Sequence, residues 1–86
     1  MKKKFKNKVT KAIHSYQHGD KSWLVKLLPE LKTHWAKYAK EEGDFRTGEE
    51  SYGYTDIKAT MNYISDRWTC AFRMKWIIDL VERGFR

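Results

Sequence analysis

The chain has a single cysteine, Cys70, a single proline, Pro29, and five glycines in 86 residues. A lone cysteine excludes an intramolecular disulfide framework and suits a reducing compartment. The one proline leaves one helical interruption to account for, and the glycines stand where helices would stop or a loop would run. Period-two alternation of apolar residues is weak throughout, so the expected fold is all-helical. No apolar run follows the basic start Met1-Lys2-Lys3-Lys4. Neither a signal peptide nor a transmembrane segment is therefore expected, and the reading places the chain in a cytoplasm. Internal repeats and low-complexity linkers are also missing. No nucleophile, base and orienting group assemble from the sequence, so a non-catalytic protein without a cofactor is expected. There is no helix-turn-helix spacing, no zinc-finger cysteine set and no RNA-recognition aromatic signature, which argues against sequence-specific readout.

The length fits one domain over residues 1–86, burying only about 60 to 65% of its unfolded surface. Thirteen aromatic residues, four of them tryptophan, supply large buried area per side chain to such a thin core. Eighteen Lys and Arg against 11 Asp and Glu leave a net charge of +7, which favours polyanions such as nucleic acid or acidic protein faces.

The richest apolar stretch runs from Thr55 to Arg83. Ile57, Met61, Ile64, Trp68 and Phe72 share one helical face, but beyond Thr69 that sector is taken by Lys75, Asp79 and Glu82. Ala71, Met74, Ile77, Ile78 and Val81 crowd a face turned by about a quarter to a third of a turn. One straight helix cannot bury both stripes, and at about 43 Å it would outrun a domain roughly 30 Å across. The phase shift predicts helices over 55–65 and 69–83, broken between Ser65 and Thr69. Ser65, Asp66 and Thr69 are competent N-caps for the second, Thr55-Asp56 for the first, and Arg83-Gly84 closes the second.

Upstream, Phe5, Val9, Ala12, Ile13 and Tyr16 predict an amphipathic helix over 4–18, ended by Gly19. Leu24, Leu27, Leu28, Leu31, Trp35 and Tyr38 hold one phase over 21–42. That continuity favours one helix kinked at Pro29 over two short helices with Pro29 opening the second. The expected architecture is a compact bundle of about four helices, with 43–54 as a loop between its halves.

Charge is segregated along the chain. From Lys2 to Lys40, eleven lysines against Asp20 and Glu30 leave +9; from Glu41 to Asp56, six acids against Arg46 leave −5; the remainder, 57–86, carries +3. The backs of the first two helices carry Lys4, Lys8 and Lys11, then Lys26, Lys37 and Lys40, and neither strip has an acid of its own. Charged helix backs are ordinary, but most mix signs, so these six lysines are the candidate nucleic-acid contacts. In the loop, Phe45, Arg46, Tyr52 and Tyr54 combine rings with charge, as protein-interface anchors do; the alternative is that the rings fold back as lids over the core. His14 and His18, four apart, supply only two ligands, so no metal site is expected. Cys70 reads as a small buried hydrophobe, and Trp23 lies at the edge of its stripe.

In its opening Met1-Lys2-Lys3-Lys4-Phe5-Lys6, its aromatic content and its lack of an enzyme motif, the chain resembles the short accessory proteins that tailed bacteriophages direct against host enzymes or defences. The resemblance implies a partner in the host's nucleic-acid machinery, met in the host cytoplasm through surface complementarity. Two readings stay open. The lysine face binds nucleic acid or a nucleoprotein, or the chain is an inhibitor or adaptor whose aromatic-acidic loop 44–54 anchors a host protein while the basic face steers association with that acidic partner.

Overall fold

A computed structural model describes residues 2–53 and 56–86 and is all-helical. Its helices are α1 (Lys3–Gln17), α2 (Ser22–Glu42), α3 (Gly48–Tyr52), α4 (Ile57–Ile64) and α5 (Ala71–Glu82). They fill a globule of 33 × 30 × 20 Å. Among the described residues, no helix is long and apolar enough to cross a membrane.

The centre of the packing is α5. Met74, Trp76, Ile77, Ile78 and Leu80 are all buried, and the helix lies against α2 and α3. Hairpin partners α1 and α2 bury Phe5, Val9, Ala12 and Ile13 against Leu24, Leu27 and Leu31 in the same core. Helix α2 runs unbroken through Pro29. Leu24 and Leu31, on either side of it, are fully buried, while Val25 and Pro29 are exposed. The hydrogen bond that proline cannot make thus falls on the solvent flank, where it costs least.

The break between α4 and α5 is present, and Trp68 sits inside it. Its side chain is 1% exposed, its indole N–H donates to Thr10 Oγ1 at 3.0 Å, and its ring meets Phe5 edge-on at 6.0 Å. The turn is therefore pinned onto α1 rather than left as a linker.

Several boundaries depart from the sequence reading. Helix α5 opens at Ala71 with Cys70 as its N-cap residue, and neither Ser65, Asp66 nor Thr69 caps it. The cap comes from another helix: Glu42 Oε2, at the end of α2, accepts from the Ala71 amide at 2.9 Å. A carboxylate on an orphan helical amide satisfies the donor and meets the positive end of the dipole, and sequence spacing gives no sign of it. Phe72 is consequently half-buried rather than a member of the first apolar stripe, and Cys70 is half-buried as well. The segment read as a loop contains α3. Thr47 Oγ1 accepts from the Glu50 amide at 3.1 Å and Glu50 Oε2 from the Thr47 amide at 2.7 Å, a capping box that starts a helix too short to show a period. A second remote carboxylate, Asp79 of α5, accepts from the Gly48 amide at 2.7 Å. Asp56 caps α4 through the Ala59 amide as expected; its companion Thr55 lies outside the described residues.

Trp68→Ala should cost roughly 3–5 kcal/mol, a large part of what a domain of this size possesses. Thr10→Val, which strands the buried indole N–H, should cost about 1–3 kcal/mol, whereas Thr10→Ser should melt near the parent. Chemical denaturation of the three variants checks this ordering, and a Thr10→Val protein as stable as wild type would contradict it.

Candidate nucleic-acid interface

The hairpin of α1 and α2 brings the two lysine strips onto one side of the molecule. Near the start of α1, a groove of about 760 Å³ is lined by Lys2, Lys4, Lys8, His34, Lys37 and Tyr38, among others. Towards the hairpin's closed end, a second groove of about 350 Å³ is lined by Lys8, Lys11, Ser15, Trp23 and Lys26. Lys8 and Glu30 line both, so the two form one track. Five of the six lysines singled out from sequence, Lys4, Lys8, Lys11, Lys26 and Lys37, are on it. Lys40 lines neither groove.

The strips are less acid-free than the sequence suggests. Glu30 stands between them, and its carboxylate approaches Lys8 Nζ at 4.0 Å, both side chains being half-exposed. At that separation and exposure the pair contributes little, and it leaves the track strongly cationic. Lys32, off the track, pairs with Glu82 at 3.1 Å. The opening of α1 sharpens the imbalance. Lys2, the N-cap residue, gives the first amides no side-chain bond, and no acid occupies the first turn. Cations therefore crowd the positive end of a helix dipole, an arrangement that an incoming anion would relieve.

Sequence reasoning left Trp23 at the margin of its stripe, and it proves to be an exposed aromatic residue on the track. It is 51% exposed, and Lys26 Nζ lies 4.8 Å from its ring centroid. The floor of the larger groove is ring-bearing too: Phe5 and His34 stack at 3.8 Å within 6° of parallel, and His34 Nδ1 is 2.9 Å from the Glu30 carbonyl oxygen.

The loop residues part company. Tyr52 turns inward against Trp76 and Phe72, the lid role weighed from sequence. Burial raises its phenol pKa, and neighbouring Arg73 partly offsets the rise. Phe45 stays 61% exposed with its edge on Trp35, and Arg46 grips Asp44 through Nε and Nη2 at 3.0 and 2.8 Å. That fork holds the Asp44 carboxyl below the usual carboxylate range. Tyr54 lies outside the described residues. His14 approaches Asp66 at 3.8 Å, and among the described residues no three His, Cys, Asp or Glu side chains gather as metal ligands.

Fold and face together define a small all-helical protein with one lysine-lined track carrying an exposed tryptophan. No protein-family model, curated protein or solved structure matches the chain.

Because the folded-state pKa of Asp44 is depressed, the contribution of its pair with Arg46 is present above the ordinary carboxylate pKa and lost as pH falls through the lowered value. Arg46→Gln should move the Asp44 titration, followed by carboxyl NMR shifts, to higher pH. An unchanged titration would show that the fork does not set it.

Proposed function

We propose that this is a non-catalytic nucleic-acid-binding protein whose lysine track between α1 and α2 follows a phosphate backbone. The observation carrying the reading is that strips separate in sequence line a single track, with an exposed tryptophan at one end. Phosphate contacts draw affinity from released counterions and need only closely placed cations. A ring beside a lysine offers a base somewhere to stack without regard to its identity. The working roles are then plain. Lys4, Lys8 and Lys37 contact phosphates over the larger groove, Lys11 and Lys26 continue the line, and Trp23 stacks. Glu30, on α2 opposite Lys8 of α1, is the acid within the line. Such a role agrees with the host nucleic-acid partner implied by the resemblance to phage accessory proteins.

Replacing Lys4, Lys8 and Lys11 together by Gln should lower affinity for all sequences alike. The slope of log affinity against log salt should fall by about 0.7–0.9 for each phosphate no longer neutralised. Melting should change little, because exposed charges contribute little to stability, and Lys40→Gln should leave the slope where it was. Fluorescence anisotropy with labelled oligonucleotides across a salt series measures all of this. Wild-type protein showing no salt-sensitive binding near micromolar concentration would overturn the reading.

A further inference from the structure

The cations of this chain divide by type as well as by position. All five arginines lie between Arg46 and Arg86, whereas eleven of the thirteen lysines lie between Lys2 and Lys40. Three of those arginines form a construction that the lysine track lacks. Arg46 lies over the Phe72 ring at 4.5 Å, Arg73 lies over Phe72 at 5.1 Å and over Tyr63 at 5.7 Å, and Arg67 lies over Tyr63 at 5.3 Å. The order Arg46, Phe72, Arg73, Tyr63, Arg67 makes a ladder in which guanidinium and ring alternate. Its members come from the 43–47 loop, the end of α4, the Trp68 turn and the start of α5.

Backbone carbonyls hold the ladder in place. Arg67 Nη1 donates to the Tyr63 carbonyl at 3.0 Å, and Arg73 Nη1 to the Arg67 carbonyl at 2.8 Å. Among the described residues, the carboxylate that engages the ladder is Asp44, on Arg46; Arg67 and Arg73 have no acidic partner, and Arg73, its Nε buried, neighbours the Tyr52 phenol. Tyr63, 52% exposed, keeps the far end of the ladder open to solvent.

From this we infer a second binding face, on which Arg67 and Arg73, spaced by Tyr63 and Phe72, take the carboxylates of an acidic segment of a partner protein. The chemistry favours that occupant over a nucleic-acid base. Stacking of bases needs free ring or guanidinium faces, whereas Phe72 and Tyr63 each already have two guanidinium groups beside their rings, which favours recognition through N–H groups. Edges of a planar fork match carboxylates in bidentate pairs. Asp44 displays the mode on the same ladder, with two donors of Arg46 on its two oxygens. Both guanidiniums are also held before binding, each by a carbonyl and Arg73 with its Nε buried as well, so less side-chain freedom remains to be lost. Arginine and tyrosine on a preorganised surface are the residues in which interface energy concentrates. The inference is independent of the lysine track and would survive its failure.

The test uses the full chain, a fluorescein-labelled peptide of alternating Glu and Tyr, and labelled oligothymidylate as the competing probe. Arg67→Lys and Arg73→Lys keep the charge but lose the planar guanidinium. Together they should weaken the peptide about tenfold, as loss of a bidentate charged pair does, while oligothymidylate binding stays unchanged. The Lys4, Lys8, Lys11→Gln protein should show the reverse pattern. Equal peptide affinity in the arginine variant, or peptide affinity that follows the lysine variant, overturns the inference, as does oligothymidylate affinity that falls with the arginines. Should Arg73→Lys disturb folding, two measurements decide: the Arg67→Lys variant alone, and the arginine side-chain N–H signals of wild type. Those of Arg67 and Arg73 must shift on peptide addition, and unmoved signals contradict the assignment.

Discussion

Everything in this fold turns on burying Trp68. A chain with a net charge of +7 and a thin core must draw much of its cohesion from a few large side chains. Trp68 is the one that ties the two halves of the chain together. It stands in the turn between α4 and α5, yet its partners Thr10 and Phe5 belong to α1, 58 residues back in the case of the hydrogen bond. Fixing that turn sets the angle at which α5 leaves, and α5 supplies the largest share of the buried residues. Phe5 in turn stacks on His34 of α2, and the packing of α1 along α2 lets the two lysine strips share one track.

Charge then decides what the folded surface offers. Two carboxylates that might have offset the lysines are used inside the structure, Glu42 on the first amide of α5 and Asp79 on the first amide of α3, with Lys75 on the other oxygen of Asp79 at 2.8 Å. Each joins helices remote in sequence. Acids serve here as internal caps, so the lysines of α1 and α2 face solvent with Glu30 as the acid between them. Lysine and arginine are also put to different uses. The lysines of the track line exposed grooves, while Arg46, Arg67 and Arg73 sit beside rings, and Arg67 and Arg73 donate to carbonyls as well. One face presents diffuse charge and the other presents shaped donors, a division that suits two kinds of partner.

Much of the fold was legible because helical periodicity reports which residues face inward. The stripes of α1 and α2, the continuity across Pro29 and the shift of phase around Trp68 all follow from one angular rule. What was illegible depended on groups distant in sequence. Nothing near Ala71 reveals that Glu42 will cap it, so the start of α5 was placed two residues early and Phe72 was assigned to the wrong stripe. The five residues of α3 were hidden by shortness, although Thr47 and Glu50 carried the capping-box spacing that could have exposed them. For the candidate sites, sequence found the lysines because they repeat on helix backs. It could not show that they converge, that Lys40 stands apart or that Glu30 faces Lys8. It put Trp23 at the edge of its stripe, where the ring is indeed exposed, but not on the lysine track, and it missed the arginine ladder altogether, since the ladder's rungs come from separate segments and form no pattern along the chain.

The central claim is that the α1 and α2 backs form one polyanion-binding track, and mapping the bound surface residue by residue tests it most directly. In an NMR titration of labelled protein with oligothymidylate, the account predicts shifts at Lys4, Lys8, Lys11, Lys26 and Lys37 and at the Trp23 indole N–H. The Trp68 indole and the amides at the start of α5 should hold still. Shifts confined to Arg67, Arg73 and their neighbours, or oligonucleotide binding that leaves α1 and α2 unshifted, would contradict it.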